Sequence, residues 1–169
     1  VLTGLSMLMM KKPSIPQLRR ELQQPMSRPP YRYAYGRVRI YGSPAPWRVS
    51  GRMLYGCLIL NSRPSAGGEI QIALDKRPVA LTGDILDFAG PGATATEAPF
   101  QGHVRAWVGL GDQTGPPSAI LDEVPEIFRG TDAWRGRTVL WIALDAGSNK
   151  SRADRWPRTP PEVEVLSLI

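Results

Sequence analysis

A single cysteine, Cys57, and a single histidine, His103, occur in 169 residues. One cysteine excludes an internal disulfide framework and any metal cage made of thiolates alone. Its setting, LYGCLIL, is that of a small buried hydrophobe, and its isolation fits a reducing compartment or indifference to redox. One histidine confines any Ser–His chemistry to position 103. No G-x-S-x-G accompanies it, and a histidine opening a strand beside Gly102 is ordinary on a surface or interface. One His and one Cys far apart in sequence do not make a zinc signature, and the carboxylates do not follow a calcium-loop spacing. No cofactor, metal or catalytic residue is therefore expected, and the chain is not expected to be an enzyme.

Long apolar runs are missing too. Val1 to Met10 is too short to span a bilayer. Its lysines, Lys11 and Lys12, follow it, whereas a signal peptide carries its positive charge in front. That stretch is expected to pack against protein, with a peripheral membrane contact as the alternative. Acidic residues are scarce at the same end. Residues 1–52 carry ten Lys or Arg and one acid, Glu21, a balance of +9. Residues 53–169 carry 11 basic and 14 acidic residues, −3, which completes the formal +6. A basic arm on a faintly acidic body predicts an anionic partner for the arm: nucleic acid, the acidic face of another protein, the chain's own body, or another copy of the chain.

Glycine and proline are abundant, 17 of each, which predicts many turns and short strands. Residues 13–24, PSIPQLRRELQQ, can form a short helix, and Pro25, Pro29 and Pro30 forbid its continuation. YRYAYGRVRIYG reads as a strand with a break at Gly36, PAPWRVSGRM as an irregular strand around a turn. LYGCLILNS has the continuous apolarity of a strand buried on both faces. Ile70, Ile72 and Leu74 alternate, and DKRP turns them into a hairpin with Val79 and Leu81. In HVRAWVGLG, Val104, Ala106 and Val108 share one face, Arg105 and Trp107 the other. PSAILDEVPEIF holds a helical turn or two before Pro125, TVLWIALD at 138–145 is a strand, and VEVLSLI is a last one. AGPGATATEAP and AGSNKSRADRWPRTPP read as loops. The expected class is mainly β, a barrel or sandwich of about eight short strands with one or two short helices. An extended N-terminal arm, residues 1–30, precedes a β-rich domain, residues 31–169.

The corner Gly109-Leu110-Gly111 imitates the start of a dinucleotide motif. The sixth position, however, is Thr114, and Pro116 and Pro117 remove donors that a pyrophosphate needs. The corner is expected only to turn the chain. Nucleic acid is the generic alternative: Arg19, Arg20, Arg28, Arg32, Arg37 and Arg39 interleave with Tyr31, Tyr33, Tyr35 and Tyr41, so charge tracks a backbone while rings stack bases.

The order of segments carries more. RPPYRYAYGRVRIYGS, LYGCLILNSRPSAGGEIQIALDKRPVAL, FQGHVRAWVGLGDQTGPPSAIL, WRGRTVLWIALD and WPRTPPEVEVL follow one another over residues 28–169. This series resembles the N-terminal hub region of J-type host-specificity, or tail-tip, proteins of long-tailed phages. Glu69 to Val79 match an element of the family's E-I-x-x-I-x-L-D-x-x-x-V type. Leu110, Gly111 and Gln113 match its corner, Arg135 to Leu144 its arginine-glycine and following strand, and Trp156 to Val163 its closing segment. Arg158 and Thr159 stand where the family has glycines. The family continues for hundreds of residues beyond this unit, so the expectation is a shortened hub or one divided between chains, without receptor-binding parts.

The resemblance implies a hub-type β domain with a structural role in the virion, as a ring, usually a trimer, below the distal tail protein. Such a ring closes the tail tube and connects to other tail-tip or baseplate proteins, with the tape-measure protein a further possible neighbour. The interface residues it suggests are Leu2, Leu5, Leu8, Met9, Arg19, Arg20 and Arg28 in the arm, and Tyr31, Tyr33, Arg37, Arg39, Trp107 and Trp156 in the body.

Overall fold

The computed structural model describes residues 31–168. Ten strands and two short helices occur among them: β1 (Arg37–Ile40), β2 (Ser43–Ser50), β3 (Met53–Asn61), β4 (Ile70–Leu74), β5 (Arg77–Val79), β6 (Leu81–Thr82), β7 (Ala93–Ala95), β8 (Val104–Gly109), α1 (Ser118–Glu123), β9 (Thr138–Asp145), α2 (Asn149–Arg155) and β10 (Val163–Leu168). They form two antiparallel sheets, one of four strands in the order β1-β10-β4-β5 and one of six in the order β2-β3-β9-β8-β7-β6. The sheets do not close into a barrel, so of the two expected architectures the sandwich is the one realised.

Alternation along the strands explains the layering, because successive side chains point to opposite faces. Leu58 and Leu60 of β3, Val104, Ala106 and Val108 of β8, and Leu140, Ile142 and Leu144 of β9 all face the small sheet. There they meet Ile72, Leu74, Val79, Val163 and Val165. The intervening residues Tyr55, Cys57, Ile59, Trp107, Val139, Trp141 and Ala143 face the other way, where Ile120, Val124 and Phe128 cover them. The large sheet is therefore the middle layer and apolar on both faces, which is why β3 and β9 read as unbroken apolar runs. Phe128 meets Trp141 edge to face, with ring centroids 5.2 Å apart.

Several boundaries differ from expectation. The strand expected from Tyr31 begins only at Arg37, because Gly36 turns the chain at φ +77. Before that turn the backbone lies along the end of β3: Ser62 N–H donates to Arg32 O at 2.8 Å, and Asn61 Nδ2 to Ala34 O at 3.4 Å. The hairpin at DKRP is present, with Asp75 and Lys76 both at positive φ, 48° and 65°, as a two-residue turn matching strand twist requires. Two expected loops contain elements. β7 is three small residues, Ala-Thr-Ala, without the bulk that marks a strand. α2 lacks a side-chain cap and is fastened from outside: Arg77 donates to Asp154 O at 3.0 Å and to Arg155 O at 2.6 Å, and Trp156 Nε1 to Asp145 O at 2.9 Å.

Candidate functional site

Four exposed tyrosines flank β1 in sequence. Tyr31, Tyr33, Tyr35 and Tyr41 are 72%, 55%, 72% and 45% exposed. The first three precede the strand, which begins at Arg37. Arginines lie against them: the Arg137 guanidinium is 5.5 Å from the Tyr31 ring centre and Arg63 is 5.4 Å from that of Tyr33. Among the described residues β1 is an outer strand of its sheet, paired only with β10, so one row of its backbone donors and acceptors has no strand partner among them. Tyr31 and Tyr33 lie beside Arg63 and Arg137 near the end of β3, whereas Arg37 and Arg39 stand on β1 and reach carboxylates beyond that strand. Arg39 is not wholly free there, for it donates at 3.1 Å to Glu164, whose carboxylate is almost fully buried. Arg37 faces the exposed Glu69 at 3.7 Å.

Two interface candidates are corrected. Trp107 is fully buried beneath Gly92, and Trp156 is buried against Phe100, with ring centroids 5.5 Å apart. Both indoles belong to the chain's own interior, where other parts of the chain cover them. Leu2, Leu5, Leu8, Met9, Arg19, Arg20 and Arg28 lie outside the described residues.

The glycine corner has its own occupant. Gly111 N–H donates to Gln113 Oε1 at 2.8 Å, and Gln113 Nε2 donates to Trp134 O and Arg137 O, each at 3.0 Å. Gly109 has no room for a Cβ, which would meet the same amide. A buried side chain thus takes the donor that a phosphate would require and fixes the bend. Outside that bend lies an open cleft of about 670 Å³ between the β6–β7 loop, the end of β8 and the N-terminus of α1. A smaller one, about 220 Å³, lies beneath the β2–β3 turn, with Arg52, Arg152 and Arg158 at its lining.

Ionisable groups cluster in two places. Glu123 accepts from Arg105 Nη2 at 2.7 Å and from the Tyr55 hydroxyl at 2.8 Å. The bond from Arg105 holds the Glu123 carboxyl below its usual range, while burial, then the bond to that carboxylate, pushes the Tyr55 phenol up to about 12. Burial likewise raises the Cys57 thiol, leaving it without thiolate character. In the second cluster His103 Nδ1 is 3.6 Å from Asp145 Oδ2, too long for a hydrogen bond, and the carboxylate is engaged by Arg52 at 3.0 Å. Among the described residues no hydroxyl or thiol is hydrogen-bonded to the imidazole, and no group of three or more His, Cys, Asp or Glu side chains is placed to hold a metal ion. Nor is any helix among them long and apolar enough to cross a membrane.

The described residues form a two-sheet body with exposed tyrosines and arginines before and along β1. Sequence reasoning had selected these tyrosines and arginines by their interleaving. It missed the Tyr55–Glu123–Arg105 contact, which joins residues far apart in the chain and leaves no local signal. Compared with known proteins, this chain matches no family model and no curated relative.

Proposed function

We propose that the protein is a structural subunit of a phage tail tip or baseplate, a hub that closes the tail tube and joins the distal tail protein to tip components. The observation that carries this reading is the order of the hub-like segments together with where each falls. Glu69 to Val79 spans the β4–β5 hairpin, Leu110 to Gln113 forms the filled corner, Arg135 to Leu144 is β9 and its entry, and Trp156 to Val163 leads into β10. A two-sheet platform with a basic outer strand flanked in sequence by exposed tyrosines suits a subunit that binds copies of itself and neighbouring proteins. A trimeric ring located in the virion is the form proposed, without catalysis.

The test is to reconstruct particles carrying this chain, or to localise it there by labelling. Density for a symmetric ring at the tube end supports the proposal. A chain found only as a monomer and absent from particles overturns it.

The exposed tyrosines beside Arg63 and Arg137 favour one competing reading, single-stranded nucleic acid stacked on that edge. Retention of an oligonucleotide that weakens steeply with salt, and that Tyr31→Ala and Tyr33→Ala together reduce at least tenfold, would support it. No retention at low salt would dismiss it.

A further inference from the structure

We propose that the 670 Å³ cleft beside the glycine corner receives the apolar segment of residues 1–10 from a neighbouring copy of the chain. The inference rests on the assembly reading above and names the contact that joins one copy to the next.

The cleft has both apolar and polar walls. Leu86, 45% exposed, stands at its rim, and Phe88, Leu110 and Leu121 line it. Asp112, exposed, is the sole ionisable residue of that lining, and Asp84 and Asp87 are exposed in the loop that carries Leu86 and Phe88. An occupant of matching chemistry is apolar with a positive end. The sequence contains one such segment before Tyr31: VLTGLSMLMM followed directly by Lys11 and Lys12. Leu2, Leu5, Leu8 and Met9 supply apolar side chains of the size the walls accept.

The place where the described chain starts supports the same pairing. The Tyr31 ring lies against the Arg137 guanidinium, and Arg137 O accepts from Gln113, which lines the cleft. The leader therefore departs two side chains away from the site. The connector, residues 11–30, holds Pro13, Pro16, Pro25, Pro29 and Pro30. Extended at about 3.1 Å per residue it spans roughly 60 Å. With residues 13–24 coiled as the sequence predicts, at about 1.5 Å per residue, it still spans roughly 40 Å. A connector of that reach is long enough to meet the site on the next molecule. Each copy then gives a leader and receives one, a heterologous contact that closes into a ring when the rotation permits.

Engineered cysteines test this cleanly, because the native Cys57 is fully buried. Full-length chains bearing Leu5→Cys are mixed with chains bearing Leu86→Cys and oxidised with copper–phenanthroline. The control partner bears Val49→Cys, a residue 67% exposed that lines the smaller cleft. The expected result is a disulfide-linked dimer that forms at least tenfold faster with Leu86→Cys than with Val49→Cys. Equal rates overturn the docking. A chain bearing both Leu5→Cys and Leu86→Cys that closes only on itself, as a linked monomer, overturns the exchange between copies. If cross-linking fails in a protein that still forms rings in particles, leader docking is wrong and the assembly reading stands. Failure in a protein that is monomeric and absent from particles removes both.

Discussion

The Glu123 carboxylate serves two donors at once, and its effect on stability has a defined sign. The folded carboxyl releases its proton more readily than the unfolded one. Its contribution is complete above the ordinary carboxylate range and disappears as pH falls through the lowered folded value. Tyr55 behaves oppositely. With its phenol raised from 10.0 to about 12, its contribution is complete below the ordinary value and is lost as pH rises through the folded one. Tyr55→Phe is expected to cost about 1 kcal/mol in urea unfolding near neutral pH and to flatten the decline in stability between roughly pH 10 and 12. An unchanged alkaline arm would show that the hydroxyl is not linked to folding. Arg39 and Arg37 make a second comparison. Arg39→Ala leaves the buried Glu164 carboxylate without its cation and is expected to cost about 1–2 kcal/mol, less than for a fully buried pair because the guanidinium is mostly solvated. Arg37→Ala breaks only the exposed contact to Glu69 and is expected to stay within about 0.5 kcal/mol of the parent. Gly92 sits at φ +79 with the Trp107 indole against the position of its missing Cβ. Gly92→Ala is expected to lower stability by about 2–4 kcal/mol in the same assay, combining left-handed strain with overpacking.

At the scale of elements, α1 is only six residues long and has no side-chain cap. A helix so short gains little from its own hydrogen bonds. Ile120, Val124 and Phe128 hold it and the following turn against the middle sheet. Phe128→Ala is expected to cost about 3–5 kcal/mol and to increase hydrogen exchange across residues 118–128 before β8 or β9 is affected. Uniform exchange throughout would mean that this layer does not open separately. α2 depends on its surroundings in the same way. The buried Arg155 guanidinium binds Pro99 O at 2.7 Å, with longer contacts to Ala146 O and Ser151 Oγ. The shortest of these contacts reaches a distant loop, at Pro99, which no local pattern over residues 149–155 reveals.

Across the whole molecule, charge and shape divide the labour. The sandwich has two independent packed layers and a middle sheet buried on both sides, a stiff base for contacts at its edges. If the β1 edge and the leader cleft carry assembly, chains lacking residues 1–12 should retain the thermal transition of the parent. They should also lose the oligomeric mass seen by light scattering. A drop in the melting temperature without a change of mass would place the leader in the folding unit instead.

The sequence alone determined the class, the strands β3, β8 and β9, the β4–β5 hairpin and the turn at the glycine corner, because apolar alternation, turn residues and glycines act over a few neighbouring positions. It also concentrated tyrosine and arginine ahead of and along β1. Tertiary structure decided the rest. The chain's final strand, β10, lies inside the small sheet between β1 and β4, since strand order depends on which distant edges meet. Trp107 and Trp156 became core residues, although their types alone fitted an interface equally well. Whether an aromatic faces solvent is set by what packs over it, and those covering groups, Gly92 and Phe100 among them, come from other parts of the chain.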